Sequence, residues 1–268
     1  MTVSVQTFVR LEEVERALSA NTGAVVLGGG TILMRDVNAG DMDGATLIRT
    51  TDPALREIRN DGGRIVMGAA ATMSDVVRSS ELGFLSAPAR SVGGPAVRNM
   101  ATIAGNLFAE PPYGDFATAL LALGASVHLA GTSAVAMTID EFLRDRDRHR
   151  GRLVQAVSVE RPREPGAVRW LKVSRVKPKG IAVMSMAAYL PSSGAPRVAY
   201  GNMGPTPVRA EAVERALQRA TLSEQGIQEA LSVATQGLSP PTDSLASEWY
   251  RREVAPVHLK RLLLGETL

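Results

Sequence analysis

The chain of 268 residues contains no cysteine, which excludes disulfides, thiolate metal sites, iron–sulfur ligation and any cofactor link through sulfur. Any metal centre it works with is therefore expected on another chain. Histidine is scarce: His128 falls in a strand pattern, His149 in a charged stretch and His258 in the last helical pattern, so no pair has metal-ligand spacing. Aromatic residues make up 4% and are nowhere interleaved with a basic stripe, so the stacking platform of a nucleic-acid binder is missing. Charge of one sign is also lacking. The sequence pI is about 9.5, yet the net charge is only +3 because acids nearly balance the arginines. No apolar run approaches the roughly 18 residues of a membrane span, and Met1 to Gln6 has neither a basic nor an apolar leader region. These absences predict a cytoplasmic protein with no nucleic-acid partner and no membrane span.

What is present is 45% hydrophobic residues, enough for one large or two medium cores. Leu11, Val14 and Leu18 share one helical face. Ala24 to Leu27 reads as a short buried strand, Ile32 to Met34 as a second apolar segment, and Thr46 to Ile48 and Arg64 to Met67 as further strands. Thr72 to Asp75 forms a capping box, as does Thr138 to Glu141. Asp115 to Leu123 is an apolar helix followed by a strand at Ser126 to Ala130, and Arg144 to Arg152 reads as a solvated charged loop. Turn formers from Arg161 to Gly166 mark a domain boundary. Beyond it, strands at Val168 to Val173, Ile181 to Leu190 and Arg197 to Gly201 include a hairpin through Ser192-Ser193-Gly194. Thr206 as N-cap with Pro207 at the first helical position predicts a helix to about Gln218, and two more helices follow at roughly 223 to 235 and 244 to 263. Alternating strand and helix signals before the boundary predict an α+β or α/β domain over 1–162, and sheet followed by helices beyond it predicts a second, α+β domain over 163–268.

Searches for catalytic side-chain sets find no Gly-Xaa-Ser-Xaa-Gly, Walker or Rossmann fingerprint. Two small-residue turns remain, Gly28-Gly29-Gly30-Thr31 and Thr102-Ile103-Ala104-Gly105-Asn106. Where side chains are absent or hydroxylated, successive backbone N–H groups can converge on a phosphate, so both turns are candidate anion cradles. The other reading of Gly28 to Thr31 is a tight strand-to-helix turn.

The two turns in their surroundings resemble the flavin subunit of the molybdenum hydroxylases, the family of the xanthine dehydrogenase FAD domain and the medium subunit of aerobic carbon monoxide dehydrogenase. Its Ala-Gly-Gly-Thr-Asp-Leu-like turn reads here Gly28 to Leu33. Its Ile-Arg-Asn-Xaa-Gly-Thr-Ile-Gly-Gly-Asn-Leu-like segment reads Val97 to Leu107. Its Pro-Xaa-Ser-Asp element reads Pro112-Tyr113-Gly114-Asp115. Lys172 to Arg175, Gly204 to Ala210 and Ala246 to Arg251 extend the likeness over nearly the whole chain.

The resemblance implies a two-subdomain FAD-binding domain of the vanillyl-alcohol-oxidase-like type, about 1–55 and 56–162, followed by a smaller α+β domain of antiparallel sheet and helices. It implies non-covalent FAD, with Leu27, Gly28, Gly29, Gly30, Thr31 and Ile32 around the diphosphate and Thr102, Gly105 and Asn106 facing them. Asp115 would hold the adenosine half, its other reading being the N-cap of the following helix, and Val157 and Lys172 would lie near the isoalloxazine ring. It implies an electron-transfer role beside a small iron–sulfur subunit and a large molybdenum-cofactor subunit, in a dimer of heterotrimers, with no catalytic side chain of its own. Three positions depart from the family: Ile32 and Gly180 stand where acidic residues are common, and Ala104 replaces a glycine. On their account a flavin-less assembly module is an alternative; a stand-alone FAD-dependent reductase is another, which the lack of an acid/base cluster disfavours.

Overall fold

The computed structural model of the chain describes residues 3–131, 135–164, 166–176 and 180–266. Met1, Thr2 and Pro165, on which parts of the reading above fall, lie outside these. Among the described residues three sheets, each with its own helices, follow one another along the chain.

The first unit holds β1 (Ser4–Phe8), α1 (Leu11–Ala20), β2 (Val25–Val26), α2 (Leu33–Ala39) and β3 (Thr46–Thr50), with a parallel sheet in the order β1-β3-β2. The α1 stripe behaves as its spacing predicts: Val14 and Leu18 are buried against Ala24, Ile48 and the distant Leu153. β1 was not legible, because all but its last residue are exposed and no buried face patterns it. The apolar segment Ile32 to Met34 belongs to the start of α2 rather than to a strand.

The second unit has a five-stranded antiparallel sheet in the order β4-β5-β8-β6-β7, made of β4 (Ile58–Asp61), β5 (Arg64–Gly68), β6 (Ser126–Leu129), β7 (Val135–Thr138) and β8 (Val154–Glu160). Short helices α3 (Met73–Arg78), α4 (Ser86–Ser91), α5 (Pro95–Arg98), α6 (Ile103–Leu107), α7 (Asp115–Ala122) and α8 (Ile139–Arg144) accompany it. Both capping boxes form, with Thr72 and Thr138 each accepting from the N–H three residues on. The charged stretch is not simply solvated. Arg146 is buried and donates through Nη1 to the Ala109 carbonyl at 2.9 Å, because a one-turn 3-10 helix over Arg146–His149 turns it inward.

The third unit is an antiparallel sheet in the order β12-β11-β10-β9, from β9 (Val168–Ser174), β10 (Ala182–Tyr189), β11 (Arg197–Gly201) and β12 (Val208–Arg209). Helices α9 (Glu211–Leu217), α10 (Gln228–Ser232) and α11 (Glu248–Leu264) complete it. The helix expected at Thr206 starts later. Val208 and Arg209 instead pair with Tyr200 and Ala199, so sheet hydrogen bonds override the Thr-Pro start signal.

α7 joins the second and third units. Every one of its residues is buried, as expected of a helix apolar on all sides. It packs against α4 and α6 on one side and β10 and β11 on the other, and one core runs from Phe116 and Leu120 to Ala187 and Ala199. Each such large apolar side chain contributes about 1.5–3 kcal/mol by its burial. The continuity of this core fixes the polar residues at the start of α7 in place. No helix among the described residues is long and apolar enough to cross a membrane.

Candidate functional site

The first turn lies between β2 and α2. Leu27 ends the strand by donating its N–H to Ile48 at 2.8 Å, and α2 begins with the Met34 N–H on the Gly30 carbonyl at 3.0 Å. Between these bonds, the backbone N–H groups of Gly28, Gly29, Gly30, Thr31 and Ile32 have no hydrogen-bond partner among the described residues. A run of unengaged N–H groups in one turn is an arrangement that binds anions. Gly30, at φ +70°, adopts the left-handed conformation that reverses the chain, which a β-carbon would disfavour. Thr31 and Ile32 are half-buried.

The second turn differs from the expected amide cradle. Thr102 is the N-cap of α6, and its Oγ1 accepts the Gly105 N–H at 3.1 Å. The N–H groups of Ile103, Ala104 and Asn106 are engaged by Ala71, Ala69 and Thr102. Asn106 Oδ1 accepts the Ala117 N–H at 2.8 Å, so this buried amide caps the neighbouring α7 from outside. What the turn can still offer a ligand is the Thr102 hydroxyl proton, the Thr102 N–H and the Asn106 amide group.

The turns touch. A β-carbon on Gly29 would collide with the Met100 carbonyl, and one on Gly28 would sit 3.0 Å from Thr102 Oγ1. Glycine at 29 is therefore required by the approach of the second segment, whatever the ligand, and a side chain at 28 would press on the Thr102 hydroxyl. Gly105 is crowded within its own segment, its β-carbon position lying 2.9 Å from Oγ1 of the cap residue Thr102.

Asp115 and Lys172, expected at different parts of one ligand, meet each other. Lys172 Nζ lies 2.7 Å from Asp115 Oδ2, with the two side chains 14% and 9% exposed, and also donates to the Ser91 carbonyl at 2.9 Å. Burial pushes the Asp115 carboxyl up from its ordinary value, and the Lys172 charge works against that push. Asp115 is not the N-cap of α7. Gly114, at φ +94°, takes that place and Asp115 is the first helical residue, where a negative charge suits the helix N-terminus. The ion pair, with the Asn202 Nδ2 bond to the Pro112 carbonyl at 3.3 Å, ties the second unit to the third. Val157 is fully buried beside Met67 and Val127 in neighbouring strands, so its side chain belongs to the core.

Two of the three departures have local explanations. Ala104 sits in α6, and Asn202 is the only non-glycine residue with positive φ among the described residues, so alanine is unstrained there. At Gly180 a β-carbon would collide with the Val176 carbonyl, so no side chain fits without a shift. Ile32 precedes α2 in an ordinary backbone conformation.

Sequence reasoning missed a pair that bridges the two halves of the site. Arg35 of α2 donates through Nη1 to the Tyr113 hydroxyl at 2.7 Å, and its guanidinium stands 5.3 Å from the Tyr113 ring centroid. Tyr113 was visible only as the variable residue of the Pro112 to Asp115 element, and Arg35 as one residue of an apparently ordinary helix. The contacts of Ser91 and Asn202 had no sequence signal, since both arise from tertiary approach.

The family described as FAD binding domain in molybdopterin dehydrogenase matches residues 2–162, and the CO dehydrogenase flavoprotein C-terminal domain matches residues 170–265. The chain is 26% identical over 213 residues to the glyceraldehyde dehydrogenase medium chain of Sulfolobus acidocaldarius, covering 76% of each. Its fold is similar to a chain of carbon monoxide dehydrogenase from Hydrogenophaga pseudoflava, with TM-score 0.88, 24% identity and coverage of 98% and 96%. It is likewise similar to a chain of quinoline 2-oxidoreductase from Pseudomonas putida 86, with TM-score 0.87, 22% identity and coverage of 99% and 97%. With both parts matched in order and the first covering more than half the sequence, the chain belongs to the FAD-binding subunits of the molybdenum hydroxylase family.

Proposed function

We propose that this chain is the FAD-carrying electron-transfer subunit of a cytoplasmic multi-subunit molybdenum hydroxylase, and that Gly28 to Ile32 hold the FAD diphosphate through their backbone N–H groups. The observation that carries the placement is the run of five unengaged amides in a chain of an FAD-binding family. The residues fit the group: amides donate, diphosphate oxygens accept, and no carboxylate side chain stands in the turn itself.

In this reading Leu27 anchors the turn to β3, and the Thr31 and Thr102 hydroxyls add donors. Gly105 and Asn106 act by holding the second turn and α7 in register. The Asp115–Lys172 pair presents a locally neutral polar surface beside Ser91 to the remainder of the cofactor, and Val157 shapes that environment only through core packing. The bound flavin would supply the ability to exchange electrons singly and in pairs. The chain's own residues bind, orient and shield it, and no side chain is assigned proton transfer. Substrate oxidation would take place on a large molybdenum-cofactor subunit, with a small iron–sulfur subunit delivering electrons and a dimer of heterotrimers as the assembly. The cysteine-free composition agrees with clusters held on another chain.

The test is direct. The purified chain should take up one equivalent of FAD with a flavin absorbance spectrum and quenched fluorescence; a folded chain that remains colourless with excess FAD contradicts the reading.

A further inference from the structure

Two contacts join the first unit to the second around the proposed diphosphate site. At one, Gly29 lies against the Met100 carbonyl; at the other, Arg35 is bonded to Tyr113. The segments 29–35 and 100–113 therefore form a closed frame, joined at both ends. On one side of it run the unengaged amides of Gly30, Thr31 and Ile32. On the other lies the Thr102 hydroxyl, and Gly114 follows Tyr113 with its β-carbon position 3.7 Å from the Asn106 carbonyl.

A diphosphate brings two negative charges into this frame, and neutral amides alone leave them uncompensated. The cations attached to the surrounding elements differ in availability. Lys172 is neutralised by Asp115 at 2.7 Å. Arg98 donates to the carbonyls of Arg90 and Gly93 at the end of α4. Arg35 forms no ion pair with any carboxylate among the described residues. Its bonds are to a phenol oxygen and a ring face, which fix its direction without cancelling its charge. It follows Thr31 by one helical turn, its N–H bonded to the Ile32 carbonyl at 2.8 Å.

We propose that Arg35 is the cationic partner of the FAD diphosphate in this chain and that Tyr113 is the residue that positions it. The inference rests on the FAD reading above and extends it to side chains that the backbone motif does not include. It also gives the Arg35–Tyr113 contact a purpose beyond fastening two units, since the contact is made by the polar tip and ring face of a Tyr113 that remains 36% exposed.

The experiment measures FAD dissociation constants by flavin fluorescence for the wild-type chain and for Arg35→Met, Arg35→Lys and Tyr113→Phe, across a series of salt concentrations, with a thermal melt of each. Arg35→Met is expected to weaken FAD binding roughly tenfold at low salt, the scale of one charge-assisted hydrogen bond. The gap should narrow as salt is added. Arg35→Lys should recover most of the loss, and Tyr113→Phe, which keeps the ring but not the hydroxyl, should fall between. An Arg35→Met variant that binds FAD as the wild type does, or one that binds more weakly with an unchanged salt dependence and no rescue by lysine, overturns the proposal. A wild-type chain that binds no FAD overturns the functional reading itself, a different result on the same titration.

Discussion

The two glycine-containing turns look alike as sequence and are opposites as structure. Among the described residues Gly28 to Ile32 leave five amides unengaged between a strand and a helix, whereas Ile103 to Asn106 have every amide bonded within the protein. The first turn is an open donor surface; the second is the foundation on which it is held, through Thr102 below Gly28 and Asn106 on the N-terminus of α7. Small residues thus serve two purposes here. At Gly30 the left-handed backbone favours glycine, at Gly29 the backbone of the facing segment demands it, and at Gly28 and Gly105 the Thr102 hydroxyl leaves little room for more. Substitutions in the foundation should act chiefly on stability, with a smaller loss of binding where the Thr102 hydroxyl is removed, and those in the open turn chiefly on ligand binding.

The largest effect is expected under the foundation. Lys172→Met leaves the Asp115 carboxylate buried without its partner, a change that costs about 3–5 kcal/mol where a buried pair is broken. The Asp115 carboxyl, already pushed up by burial, would rise further. A folded-state value above the unfolded one favours the folded state on proton uptake, so the variant's deficit should shrink as pH falls toward the acid range and be full at neutral pH. Urea unfolding at both pH values checks this; a deficit independent of pH would show that Asp115 is not the group left exposed to the loss.

Smaller, and on the same side, is Thr102→Val, which removes the cap on the Gly105 N–H at constant shape and should cost about 1 kcal/mol of stability. Gly30→Ala sets the contrast. Alanine at φ +70° costs on the order of 1–2 kcal/mol, and a shift of the turn to relieve it should weaken FAD binding several-fold. A titration that finds Thr102→Val the more damaging of the two to FAD binding would break the division between open turn and foundation. Asp75 gives the mildest test. Burial raises its carboxyl, but bonds from the Thr72 N–H and hydroxyl and from Arg78 and Arg56 outweigh that and hold it below the ordinary value of 3.8. Its contribution is therefore present above pH 3.8 and lost as pH falls below it. Asp75→Asn should flatten acid unfolding in that window and leave FAD binding at neutral pH unchanged.

Elements with a buried face were legible in the sequence. Leu11, Val14 and Leu18 announced α1, the capping boxes at Thr72 and Thr138 announced α3 and α8, and the turn formers Ser192-Ser193-Gly194 between two apolar runs announced the β10–β11 hairpin. Those lacking such a face were not. β1 is an exposed strand, and the Thr206-Pro207 signal yielded to pairing of Val208 with Tyr200. Both turns of the site were legible too, because close approach demands small residues and leaves them in the sequence. Which turn keeps its amides free was not, since that depends on Ala69 and Ala71 reaching Ala104 and Ile103 from another segment. For the same reason neither the Asp115–Lys172 pair nor the Arg35–Tyr113 contact could be read from spacing.

The central claim is that the ligand meets the amides of the first turn and not those of the second. Hydrogen exchange of the individual backbone amides, with and without FAD, tests it most directly. Gly28 to Ile32 should exchange fast alone and become protected on binding, while Ile103 to Asn106 should be protected in both states. FAD binding that leaves exchange at Gly28 to Ile32 unchanged would contradict it.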